Sequence, residues 1–211
     1  NAMVLLVGEQ PAPNLLPVRY LRPDTAVLVY TDLTSRTAGN LRRLLGTTCR
    51  CLLHKVEAYN IPLAQQTLAR FLEEEVAGHS LIFNLTGGTK PMVLAAFGLA
   101  HRYNAPFVYM ETQRDRTLLY TYSISGRGTI RLEKQETISE AITIDDHLRA
   151  YLGEYEVEGF ASGEGGVFEK VIHTTLEPHV DEILPNVRIG GALEIDLVIR
   201  RGNRIGIAEV K

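Results

Sequence analysis

The chain has no long apolar run: its longest apolar stretches are strand-length, and charged residues interrupt the rest. Neither a secretory leader nor a membrane-spanning helix is expected. Cysteine is scarce, with only Cys49 and Cys51. One residue apart in an expected strand, they share a face, which suits neither a local disulfide nor a four-ligand zinc site. Reduced thiols are expected, and with them a cytoplasmic location. The six histidines are scattered, without metal-ligand spacing. Excess charge is also missing. The net charge is −3, and residues 161 to 211 carry six Lys or Arg against eight Asp or Glu. Bulk charge therefore gives no sign of a nucleic-acid surface, and any basic channel would come from a partner subunit or from beyond Lys211. The phosphate loop Gly-x4-Gly-Lys-Ser/Thr and the dinucleotide fingerprint Gly-x-Gly-x-x-Gly are both absent, which argues against an ATPase and a dehydrogenase. No repeat or low-complexity tract appears.

What is present is ample apolar content, 45% of 211 residues, enough for one large domain or for one domain and part of another. Asn1-Ala2 ahead of Met3 resembles a remnant of tag removal. From Met3, short apolar runs alternate with amphipathic stretches, which predicts an α/β domain with a mostly parallel sheet. Strands are expected over 4–8, 26–31, 49–56, 80–85 and 106–111, and helices over 37–45, 62–77 and 91–103. After Glu111 the period becomes strand-like over 117–123 and 128–134, a hairpin at the sheet edge joined by Ser125-Gly-Arg-Gly128. A short connecting helix over 144–152 and a glycine-rich stretch, Gly159-Phe-Ala-Ser-Gly-Glu-Gly-Gly166, mark a boundary. The expected organisation is a first domain over 3–143, a connector over 144–165 and a second domain from 166.

Asn84-Leu-Thr-Gly-Gly-Thr-Lys-Pro-Met92 follows an apolar run and precedes a helix. Paired glycines at a strand-to-helix turn let backbone N–H groups approach a ligand closely, and a helix N-terminus favours anionic or oxygen-rich groups. Thr89 suits the cap and Pro91 the first turn. Lys90 opposes the helix dipole, a penalty that a bound phosphate or polarised hydroxyl would reverse.

The C-terminal stretch, Glu194 to Lys211, reads as a β-hairpin turning on Gly202-Asn203. Counting outward from that turn sets Asp196 opposite Glu209 and Glu194 opposite Lys211, all on one face, with Ile195, Leu197, Ile199, Ala208 and Val210 on the other. Facing carboxylates, with Cβ atoms roughly 5 Å apart, destabilise a sheet and call for a cation. A divalent, oxygen-liganded metal would supply it. An exposed hairpin with charges on its solvent face is also the ordinary form of antiparallel sheet.

Two resemblances follow. Asp196 with Glu209-Val210-Lys211 resembles the PD-(D/E)xK nuclease superfamily, with Ile195 in place of the proline and Glu169, from the expected helix over 166–176, as the added glutamate. Asn84-Leu-Thr-Gly-Gly-Thr-Lys resembles the signature loop of CARF domains, the CRISPR-associated Rossmann folds that sense cyclic oligoadenylates. Gly8-Glu-Gln-Pro-Ala-Pro-Asn14 and Thr31-Asp-Leu-Thr-Ser35 look like the corresponding loops of CARF-nuclease effectors. That resemblance covers about residues 3 to 155. A CARF domain followed by a PD-(D/E)xK domain is the layout of the CRISPR ancillary nucleases of type III systems.

The resemblance implies a Rossmann-like ligand-sensing domain and a homodimer enclosing a cyclic oligoadenylate, with cyclic tetra-adenylate the ring expected. Glu9, Gln10, Asn14, Thr31, Ser35, Thr86, Gly87, Gly88, Thr89 and Lys90 would line it. It implies Mg²⁺ or Mn²⁺ held by Glu169, Asp196 and Glu209, with Asp196, Glu209 and Lys211 catalysing DNA or RNA cleavage in antiviral defence. A PD-(D/E)xK core needs a further helix and strand after Glu-x-Lys, so a cut through the second domain, and with it an inactive nuclease, is an alternative expectation. A sensor without cleavage and a ring nuclease that degrades its own ligand also remain open.

Overall fold

The computed structural model describes all residues except 114, 115, 126, 127, 140, 161, 191, 192 and 211. The chain divides into two compact units, Asn1–Ile138 and Ser139–Lys211.

In the first unit, β1 (Ala2–Leu6), β2 (Thr25–Tyr30), β3 (Arg50–Lys55), β4 (Leu81–Asn84), β5 (Phe107–Gln113), β6 (Arg116–Ile124) and β7 (Ile130–Ile138) form one sheet in the order β3-β2-β1-β4-β5-β6-β7. The first five pair in parallel. β6 and β7 continue the sheet antiparallel, which makes them the edge hairpin that the sequence pattern predicts. Its Gly126-Arg127 turn lies outside the described residues. β1 and β2 are almost uninterrupted apolar runs because both faces are covered. Val4, Leu6, Val27 and Phe83 share a buried cluster with Leu68 and Leu72 of α3 (Ile61–Glu75) and Met92, Ala96 and Leu99 of α4 (Lys90–Arg102). The alternate residues Met3, Leu5 and Leu28 are equally buried outside that cluster, as are Leu15 and Leu16 of α1 (Ala12–Leu21) and Leu41 and Leu45 of α2 (Ser35–Leu45). This is the α/β fold with a mostly parallel sheet expected from the pattern of apolar runs.

Helix α1 has no counterpart in that pattern. Pro11, Pro13 and Pro17 argue against a helix on propensity, and Pro17 lies inside it. A proline cannot donate to the carbonyl four residues back. That carbonyl, Pro13 O, accepts instead from Asn84 Nδ2 at 2.8 Å. A long-range side chain thus supplies the bond that the backbone lacks.

In the second unit, β8 (Glu156–Val157), β9 (Glu182–Ile189), β10 (Leu193–Arg201) and β11 (Arg204–Ala208) form an antiparallel sheet in the order β11-β10-β9-β8. The segment expected to connect the halves is α5 (Ile144–Leu152). Its Thr143 and Asp146 form a reciprocal capping box, and Ile144 and Leu148 pack with Val187 of β9 and Val198 of β10. β9 was invisible to pattern because Pro185 and Asn186 interrupt it. β8 pairs only at Val187 and Arg188, so Pro185 breaks no ladder on that side. The β10–β11 turn holds the expected register, with Arg201 opposite Arg204 and Leu197 opposite Ala208. One expectation fails: Leu197 and Val198 are both fully buried, so mid-β10 is covered on both faces, not on one. No described helix is long and apolar enough to cross a membrane.

Candidate functional site

The sheet order runs outward in one direction from β1 to β3 and in the other from β4 to β5, so the topological switch lies between β1 and β4. Crevices at the carboxyl ends of strands flanking such a switch are where open α/β sheets bind ligands. The two loops there are Val7–Pro11 and Leu85–Thr89, the loops that the motifs pick out.

They are pressed together. A Cβ on Gly87 would run into the Leu6 carbonyl oxygen, and Gly88, at φ +74°, would bring one to 2.8 Å from Leu6 Cβ. Only glycine fits both demands. Thr89 caps α4, its Oγ1 accepting from the Met92 N–H at 3.4 Å, with Pro91 in the first turn. Around this frame Glu9, Gln10 and Lys90 are exposed and Gly88 and Thr89 half-buried. An acid, an amide and a cation therefore ring a glycine turn at a helix N-terminus, the makings of a site for a ligand that carries both phosphates and base edges.

Other residues expected at the ligand have hydrogen-bond partners within the protein. Asn14 is fully buried in the first turn of α1 and donates from Nδ2 to Leu6 O at 3.0 Å. Thr86 donates from Oγ1 to Asn84 Oδ1 at 2.6 Å and accepts from Met110 N–H at 2.8 Å. Thr31 is buried, its N–H bonded to Thr34 Oγ1 at 3.0 Å, whereas Ser35 is exposed and donates to Asp32 O. Sequence reasoning quoted Asn84 within the motif but gave it no role. It holds both α1 and the Thr86 turn. It also gave no sign of a cavity of about 370 Å³ beside Thr31, lined by Asp32, Leu33, Lys55, Glu57 and Thr67 among others. Asp32 and Lys55 pair there at 2.6 Å.

In the second unit, Glu169 is half-buried on α6 (Glu164–Leu176) and accepts from Asn186 Nδ2 at 3.4 Å. Asn186 is buried in β9 with φ +43°. Residues on either side of it pair with residues on either side of Asp196, which brackets the two across the ladder. Asp196 Oδ2 accepts from the Val210 N–H at 2.6 Å, one residue beyond the expected hairpin partner Glu209. Glu209 is exposed, and Lys211 lies outside the described residues. Thus Glu169, Asn186 and Asp196 follow one another across α6, β9 and β10. Among the described residues, however, no three His, Cys, Asp or Glu side chains gather closely enough to hold a metal ion. As they stand, the three carboxylates do not fit a metal centre.

Comparison with known families matches residues 2–147 to the one described as Card1 CARF domain. The chain belongs to this CARF family. The CARF match takes in the whole seven-stranded sheet and both switch-point loops. Comparison with curated proteins found no match. Among solved structures, Can2 from Sulfobacillus thermosulfidooxidans, in complex with cyclic tetra-adenylate, is similar over 99% of this chain and 78% of its own, with 18% identity and a TM-score of 0.76. Protein VC1899 from Vibrio cholerae is similar over 98% and 78%, with 14% identity and a TM-score of 0.75. A type III CRISPR defence DNA nuclease activated by cyclic oligoadenylate is similar over 98% of this chain and 39% of its own, with 17% identity and a TM-score of 0.68. At these identities the likeness is one of fold, and it extends through the second unit as well as the CARF sheet.

Proposed function

We propose that the first unit senses a cyclic oligoadenylate, with cyclic tetra-adenylate the ring expected, and that the second unit is the nuclease that this ligand activates in type III CRISPR defence. The observation that carries the reading is the pair of interlocked loops at the switch point of a CARF sheet, with Glu9, Gln10 and Lys90 exposed around Gly87-Gly88. In a homodimer each chain would contact half of the ring, since a closed repeat of nucleotides matches a two-fold axis. Lys90, at the positive end of the α4 dipole, would take a phosphate, although Pro91 has no N–H and that of Met92 is held by Thr89, and Glu9 and Gln10 would offer groups complementary to base or ribose edges. Asn14, Thr31 and Thr86 would act through the loops they hold, and Ser35 would lie at the periphery.

For the output, Asp196, Glu209 and Lys211 are the proposed catalytic group on DNA or RNA, with Glu169 as a further metal ligand. Mg²⁺ or Mn²⁺ is the expected cofactor and would stabilise attacking and leaving oxygens. Among the described residues the donor set is not drawn together around one point. A second reading, a sensor whose second unit does not cleave, draws on that same observation.

The test is isothermal titration with each cyclic oligoadenylate, alongside cleavage assays on DNA and RNA with Mg²⁺ or Mn²⁺. Lys90→Ala is expected to weaken ring binding by about tenfold to a hundredfold, the loss of one charge-assisted contact. Because Lys90 is exposed, its melting temperature should stay that of the parent. Asp196→Ala should abolish ligand-dependent cleavage and leave ring binding intact. Binding without cleavage by the parent chain selects the sensor reading, and shortened linear fragments of the ring would reveal a ring nuclease.

A further inference from the structure

Away from the ligand loops, at the amino end of the edge strand β3, Cys49 and Cys51 bring their sulfurs to 3.7 Å. The loops lie at the carboxyl ends of the strands, so this pair belongs to the opposite pole of the sheet. Both thiols are half-buried, and Cys49 points its S–H toward Leu45 O at 3.6 Å. Cys49 sits in the bend that leads into β3 and Cys51 within the strand, and their sulfurs stand well beyond the roughly 2 Å of a disulfide bond. The spacing is that of an S–H···S hydrogen bond. Two thiolates bound to one tetrahedral ion at about 2.3 Å lie about 3.8 Å apart, so the observed gap is already the bite of a chelate.

We propose that Cys49 and Cys51 form a two-sulfur clasp for a single thiophilic d¹⁰ cation of the Zn²⁺ or Cd²⁺ class. The edge position of β3 leaves the ion's remaining coordination positions to water or to donors from another molecule. Among the described residues no third His, Cys, Asp or Glu completes the set.

Charge narrows the class. The guanidinium of Arg19 lies near Cys49 and that of Arg42 near Cys51. Both favour thiolate and both repel a bare cation, so affinity must come from covalent metal–sulfur bonding and not from charge. Mg²⁺ and Ca²⁺, which bind hard oxygen donors, are excluded on that ground. The hydrogen bond from Cys51 pulls the Cys49 thiol down to about 7, while the same bond pushes Cys51 up.

Titration of the full, reduced chain with Cd²⁺ under anaerobic conditions tests this. The expected result is a near-ultraviolet sulfur-to-cadmium absorption band that saturates at one ion per chain, is displaced by Zn²⁺ and is unaffected by Mg²⁺. It should vanish in Cys49→Ser and in Cys51→Ser alike. Bound Cd²⁺ should also slow alkylation of both cysteines by about tenfold or more, a readout of the parent chain that decides the matter should either variant fail to fold. No saturable band, a band that survives in either variant, or alkylation at an unchanged rate would overturn the proposal. So would isolation of the pair as a disulfide that no mild reductant opens.

Discussion

Pro17 removes the N–H that would close a helical turn onto Pro13, and the Asn84 side chain replaces it while its own oxygen accepts from the N–H and hydroxyl of Thr86. One amide thereby fixes the start of α1 and the turn that leads into Gly87-Gly88. Replacing it strands a partly buried carbonyl and two partly buried donors, and each would cost about 1 to 3 kcal/mol if fully buried. Asn84→Ala should therefore lower stability by about 3 kcal/mol and weaken ring binding, although no contact of Asn84 with ligand is proposed. Asn84→Asp keeps the acceptor for Thr86 but sets a buried carboxylate oxygen against the Pro13 carbonyl, so chemical denaturation should place it no higher than Asn84→Ala. If Asn84→Ala melted like the parent, the linkage would be refuted. The importance of Thr86-Gly-Gly-Thr-Lys90 was legible in sequence because glycine pairs and a cap have meaning at fixed spacing. The job of Asn84 was not, since its partner lies 71 residues away.

At the scale of elements, a single side chain ties the second unit's sheet together. Arg200 of β10, 12% exposed, pairs with Glu182 at 2.9 Å and donates to Gly202 O at 2.9 Å, with Asp181 at 3.7 Å. Glu182 in turn accepts from the Ile144 N–H at the start of α5. Removing one partner of a largely buried ion pair costs about 3 to 5 kcal/mol, but Glu182 and Asp181 keep some solvent. Arg200→Met should thus cost about 2 kcal/mol, scaled down for that screening, and a urea titration should show a lower midpoint with an unchanged slope. The hairpin that carries Arg200 was readable from Gly202-Asn203, because a two-residue turn dictates register. β9, which carries Asp181's neighbour Glu182, was not. Pro185 and Asn186 erase the strand pattern, and their tolerance depends on how little of β9 the short β8 covers. The same gap hid Asn186, the residue that now stands between Glu169 and Asp196.

At the scale of the whole chain, each unit carries one buried-side imidazole, and the two give both units an acid sensitivity of the same sign. Burial pushes His54, packed on Phe71 in the first unit, and His147, packed on Tyr151 in the second, below the ordinary 6.5. The Nε2 of His54 is buried with no hydrogen-bond partner among the described residues, which leaves nothing to stabilise a second proton. Between the depressed folded values and 6.5 the unfolded chain binds more protons than the folded one. Stability is therefore full above about pH 6.5 and falls as pH drops through that window, with the loss complete once the folded imidazoles also titrate. Most carboxylates titrate lower and the Cys49 thiol, drawn down to about 7, titrates higher, so the interval from about pH 6.5 to 5.5 is where the two histidines dominate. Peptide-resolved hydrogen exchange across that interval should show protection falling in both sheets. His54→Asn should flatten the slope for β1 to β4 alone, and His147→Asn for β9 and β10 alone. A slope that persists in the matching variant would assign the acid sensitivity to other groups.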